Sequence, residues 1–257
     1  MKSQTGVTTR RRIVAGGVVL VAAGLAAAMV GGPTATAANT SRVYIVQGLP
    51  GTTIDVQIDG KAVVNGAGQA TISRAITVSA GQHKLTVRSS GSVLLENTFT
   101  VKANASSDIV VHRPASPTGK PVTTVFPLDL SAVPADKASV TVAHTAAVPP
   151  ADIKVNGKVL FSNVANGESL HVVVPAGTYK VQIVPTGQNS PSILGPADLP
   201  VKGGSLTNVY AIGEPKSGTM NVVVHEIRLS ETGTGKPSKV NTGTGGQAAR
   251  LGLTWSN

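Results

Sequence analysis

The feature that most constrains this chain is that it repeats itself once. Ile54-Asp55-Val56-Gln57-Ile58-Asp59-Gly60-Lys61 lines up with Ala151-Asp152-Ile153-Lys154-Val155-Asn156-Gly157-Lys158. Ala80-Gly81-Gln82-His83-Lys84-Leu85 lines up with Ala176-Gly177-Thr178-Tyr179-Lys180-Val181, Asp108-Ile109-Val110 with Asn208-Val209-Tyr210, and Leu128-Asp129-Leu130-Ser131 with Ile227-Arg228-Leu229-Ser230. The matches keep one order at an offset of 96 to 100 residues, which marks a duplication. Any fold for this sequence must therefore serve twice. The repeat predicts two tandem units, residues 41–132 and 138–230, joined by a short linker over 133–137.

Each unit reads as all-β. Ile54, Val56 and Ile58 alternate with polar residues, as do Val181 and Ile183, and a period of two marks a strand with one face in the core and one in water. Asp59-Gly60 and Asn156-Gly157 fall between such runs and suit the positive φ angles of a type I′ hairpin turn. Seven or eight strand-like runs per unit, in about 90 residues, predict tandem immunoglobulin-like β-sandwiches. Composition agrees: the chain has 29 Gly and 16 Pro, and 3% of it is aromatic and 13% charged. That is poor material for a coiled coil or helix bundle.

Before the repeats, Lys2, Arg10, Arg11 and Arg12 precede an uncharged run from Ile13 to Val30, and Pro33 and Ala35-Thr36-Ala37 follow. A basic, apolar and small-residue order is that of a signal peptide, residues 1–37, cleaved after Ala37 or after Ala38. The alternative is a retained membrane anchor, although the Ala and Gly content of the run weakens insertion. The export route, general or twin-arginine, stays open. After the repeats, residues 231–257 are rich in Gly and Thr and are expected to form a disordered tail.

The mature chain is expected outside the cell or in the cell wall. Four of the 22 basic residues lie in the leader and 12 acids lie elsewhere, so export lowers the net charge from +10 to about +6. The remaining cations are scattered and no aromatic platform accompanies them, which argues against a nucleic-acid partner. Cell-wall or surface components are the expected partners. The membrane enters only through the N-terminal segment, if that is retained.

A resemblance points the same way. Val140-Thr141-Val142-Ala143-His144-Thr145, then Pro149-Pro150, then Asp152-Ile153-Lys154-Val155-Asn156-Gly157, with Ala176-Gly177-Thr178-Tyr179-Lys180-Val181 downstream, resembles the exported bacterial family called domain of unknown function 4397, of actinobacterial type. The first unit keeps Asp55 to Lys61 but has Gln47-Gly48 at the position of His144 and His83 at that of Tyr179, so the resemblance is stronger in the second. It implies a secreted β-sandwich module and no reaction.

No catalytic, cofactor-binding or metal-binding residue is expected. The absence of cysteine excludes disulfides, thiolate metal sites and thiol nucleophiles. None of His83, His112, His144, His171 and His225 has a His at the equivalent position of the other unit, and each is expected at a sheet rim or wet face. Asp55 and Asp152, with the turn glycines Gly60 and Gly157, are the structural candidates. Each aspartate interrupts an apolar run after a Pro-containing loop, where a carboxylate can clasp backbone N–H groups. Asp55 and Asp59 on one strand would stand about 13 Å apart, too far to share a calcium ion. The leading expectation is a non-enzymatic, exported binding or structural protein. An enzyme would instead show a pocket between the units with two or more converging titratable groups.

Overall fold

Both central residues of the Asp59-Gly60 turn have positive φ, 51° and 77°, and those of Asn156-Gly157 have 49° and 82°. Asn, Asp and Gly reach that region at least cost, so the same tight hairpin forms at the same place in each repeat. A computed structural model describes residues 40–229. The leader, its cleavage site at Ala37 or Ala38 and the tail over 231–257 lie outside the described residues.

The first half contains β1 (Thr40–Gln47), β2 (Ile54–Ile58), β3 (Lys61–Ala67), β4 (Thr71–Ile72), β5 (Ile76–Ser79), β6 (Gly81–Ser89), β7 (Ser92–Val101), β8 (Ser106–His112) and β9 (Val122–Pro127). The second contains β10 (Lys137–His144), β11 (Ala151–Val155), β12 (Lys158–Val164), β13 (Ser169–Pro175), β14 (Gly177–Pro185), β15 (Leu194–Val201), β16 (Ser205–Ile212) and β17 (Asn221–Arg228). No helix occurs among the described residues. The all-β class is as the sequence predicts.

The halves share one pairing plan. An outer sheet runs β3-β2-β6-β7 in the first half and β12-β11-β14-β15 in the second. An inner sheet runs β4-β1-β8-β9, with β5 also on β1, and its counterpart runs β13-β10-β16-β17. In both inner sheets the first strand lies parallel to the penultimate one, Ile45 beside Ile109 and Val142 beside Val209. An immunoglobulin sandwich is built from two antiparallel sheets, so the plan differs from the expected one at this central parallel pair.

Two sandwich cores follow from alternation. Val43, Ile45, Ile54, Val56, Leu85, Val87, Ile109 and Val111 fill the first. Val140, Val142, Ile153, Val164, Val201 and Val209 fill the second. The opposite faces of the inner sheets are buried too, because the halves pack on each other there through Val46, Val110, Phe126, Ala143, Tyr210, Ile212 and Val223. Every residue of β8 and of β16 is consequently buried. The described residues belong to a single compact unit.

Leu128 N–H bonds Ser106 O and Leu229 N–H bonds Gly204 O, which sets both residues beside the starts of the inner sheets' penultimate strands. Leu128, Leu206, Leu229 and Tyr44 close that end in a further apolar cluster.

Candidate functional site

The candidate aspartates hold β-bulges. Register slips between Ile54 and Gln57 along β2, and between Ala151 and Lys154 along β11. Asp55 Oδ1 accepts the Gly66 N–H at 2.8 Å, and Asp152 Oδ1 accepts the Asn163 N–H at 2.8 Å. Both donors have positive φ, 63° at Gly66 and 55° at Asn163. Asp152 alone takes a second backbone donor, Gly187 N–H at 2.9 Å on Oδ2. These two donors hold its carboxyl below the usual carboxylate range. The expected donors were in the Pro-containing loop before each strand. The structure corrects this: the donor common to both halves comes from the strand across the hairpin, where a bulge turns an N–H toward the carboxylate, and the second donor to Asp152, Gly187, comes from the turn after β14.

The histidines also depart from expectation. His83, His112 and His144 are buried rather than at a wet face. His112 Nδ1–H donates to Arg113 O at 2.7 Å while Nε2 accepts from Thr124 Oγ1 at 2.9 Å, a neutral ring that burial holds at a pKa of about 4. His144 Nε2 lies 3.2 Å from Pro149 O, and Nδ1 has no partner. His83 is the opposite case. Its nitrogens face two acceptors, Asp59 Oδ2 at 2.7 Å and Ser79 O at 2.9 Å. Burial opposes a charge there, but the bonds to Asp59 and Ser79 outweigh it and raise the pKa. The pair borders an open groove of about 650 Å³, lined also by Lys61, Val63 and Ile76. In the second half Tyr179 stands at the position of His83 and its hydroxyl donates to Pro175 O at 2.8 Å.

A buried polar cluster lies between the halves, at residues that no motif singles out as a site. Asp108, on β8, is fully buried. Its carboxylate lies 2.9 Å from His225 Nδ1 through both oxygens, accepts the Tyr210 hydroxyl at 2.6 Å, and is reached by Asn208 Nδ2 at 3.5 Å. All three partners come from β16 and β17 of the other half. Burial and the neighbouring carboxylate push the Tyr210 hydroxyl far up, so it remains a donor. The Tyr44 ring packs edge-on against His225 at 4.5 Å. Such an Asp–His pair could orient a general base in an open cleft. Here Asp108 and Tyr210 are 0% exposed and the His225 side chain 12%, and the carboxylate's bonds run to its own chain. The visible sequence signal was small: polar Asp108 and Asn208 at equivalent places inside apolar runs. Among the described residues, no three His, Asp or Glu side chains are grouped to hold a metal ion.

Residues 41–151 match the family model described as "Domain of unknown function (DUF4397)". Over those residues the chain is similar to DUF4397 domains. The DUF4397 match covers β1 through β10 and the first residue of β11. It thus spans the first half and runs into the start of the second, whereas the quoted motifs are stronger in the second. The two bulge aspartates show how much the halves have in common, since their shared clasp spans 11 residues in each. No curated protein matches the chain.

Proposed function

We propose that this chain is an exported, non-enzymatic protein of the cell envelope or its surroundings. It acts as a rigid two-sandwich block that binds surface components or holds structure. One observation carries the reading. The place where titratable groups of the two halves converge, around Asp108, is closed to solvent and its acceptors are engaged by Tyr210, Asn208 and His225. A substrate would have to part the halves to reach it. The converging groups are the feature that favours an enzyme, and their burial is what weighs against one.

The surfaces left for binding are the loops and the open groove beside Asp59 and His83, which suit a cell-wall or surface partner better than a small substrate held in a cleft. Export follows from the leader. Intact-mass measurement of protein from culture medium should give a chain starting at Ala38 or Asn39; full-length protein found only in the membrane pellet would replace export by anchoring through residues 13–30. The binding role is tested by incubating the mature protein with isolated cell-wall fractions and sedimenting them. Retention on the walls, reduced by substitutions around the groove such as Lys61→Glu, is the expected result. No retention on any fraction would remove the binding reading.

A further inference from the structure

Equivalent residues of the two halves meet each other. Asn208 is the counterpart of Asp108, and its Nδ2 reaches the Asp108 carboxylate. Val46 and its counterpart Ala143 share one buried cluster, as do Val110 and its counterpart Tyr210. The polar contacts at the far end are reciprocal between equivalent loops, though not between equivalent acceptor residues. Gln69, between β3 and β4, donates to Thr219 O between β16 and β17 at 2.9 Å. Its counterpart Asn166, between β12 and β13, donates to Arg113 O between β8 and β9 at 3.2 Å. When residue i meets j and the counterpart of i meets the counterpart of j, the interface is isologous. Here a two-fold arrangement is closed within one chain, and Asp108 and Asn208 face each other across its axis.

A symmetric pair would carry the same side chains on both sides of that axis, but these faces differ at several positions, and three of them hold the polar cluster. The first half offers Asp108, Val110 and Phe126; the second offers Asn208, Tyr210 and His225. The carboxylate is on one side and its three donors are on the other. Two copies of the first face would bring buried Asp108 carboxylates together with no donor between them. Two copies of the second would meet with Tyr210 on Tyr210 in the space now shared with Val110, and no carboxylate would receive the hydroxyls. Each like pair therefore buries the carboxylate or its donors without partners; the unlike pair joins them and leaves Asn208 Oδ1 alone of the cluster's atoms unpartnered.

We propose that the seam is a heterotypic recognition surface: the inner face of one half selects the inner face of the other through Asp108, without help from the covalent connection. The partner it fits is the complementary half of this same protein. The inference goes beyond the envelope role and stands or falls independently of it.

The test uses the full chain with a protease site placed between Val133 and Lys137, cut after folding and read by native mass spectrometry at micromolar concentration. The expected species is a one-to-one complex of unlike halves. Asp108→Asn should raise the dissociation constant of the cut pair at least tenfold, while Glu226→Gln, which removes the exposed partner of Lys202, should leave it unchanged. Tyr210→Phe removes only the hydroxyl and should weaken the pair in the same direction, so a misfolded Asp108→Asn chain does not rescue the idea. Separation of the cut wild-type halves, like-with-like pairs, or affinities within twofold of wild type for Asp108→Asn (or for Tyr210→Phe, should Asp108→Asn not fold) would overturn it.

Discussion

Asp152→Ala and Asp55→Ala form a matched pair of perturbations, because the same bulge clasp is made with two bonds in one half and one in the other. Asp152 is 5% exposed and accepts two backbone N–H groups, at 2.8 and 2.9 Å. A hydrogen bond to a charged group contributes about 1.5–3 kcal/mol. The donors Asn163 and Gly187 belong to exposed residues, so water can reach them after truncation and the low end applies. Asp152→Ala should then cost about 3 kcal/mol and Asp55→Ala, with its single bond from Gly66, about 1.5 kcal/mol. For a domain of this size each kcal/mol lowers the melting temperature by roughly 2–4 °C, so thermal melts of the two variants should differ clearly. Calcium or chelator should change neither the wild type nor the variants. The Asp152 carboxyl titrates below its unfolded value of 3.8, so its stabilisation is complete above that pH and disappears as pH falls through the lower folded value. The gap between wild type and Asp152→Ala should therefore close in strong acid. An Asp152→Ala loss no larger than that of Asp55→Ala, or a wild-type melting temperature that rises with calcium, would refute the clasp.

Other outcomes follow from single residues. His112 titrates near 4 when folded against 6.5 unfolded, so its contribution is full above pH 6.5 and falls by roughly 3 kcal/mol toward pH 4; His112→Gln should flatten that part of a denaturant-stability profile. His83 has a raised pKa, so its contribution is present below 6.5 and is lost as pH rises through the folded value; NMR titration of its ring should show a pKa above 6.5, and a lower one would break the Asp59 assignment. Gly157→Ala places a side chain at φ 82° and should lower stability by about 1 kcal/mol in denaturant titration.

Much of the outer layer was legible in the sequence. Asp59-Gly60 and Asn156-Gly157 announced their hairpins because a two-residue turn is decided by local backbone preference. Ile54, Val56 and Ile58 announced β2 because that strand has one wet side. The inner layer obeys another rule. In β8 the run Ser106 to His112 is buried throughout, so polar and apolar residues no longer sort by exposure and a period of two reports nothing. Asp108 and His225 stand 117 residues apart in the chain, and only the docking of two sheets joins them. For the same reason the buried His112 and His144 could not be told from surface histidines. The parallel pairing of β1 with β8 is equally silent, since strand direction within a sheet leaves no mark on alternation.

The cluster of Leu128, Leu206, Leu229 and Tyr44 has a mechanical meaning. The described chain enters at the start of β1, crosses between halves beside Leu128 and leaves at Leu229, all at one pole of the block. Whatever attaches through residues before Thr40 or after Leu229 therefore holds the protein by the same pole. The loops at 48–53, 113–121, 145–150 and 213–220 gather at the other pole, farthest from either tether. A pull between the two chain ends would act across that near pole and leave the distant loops unloaded.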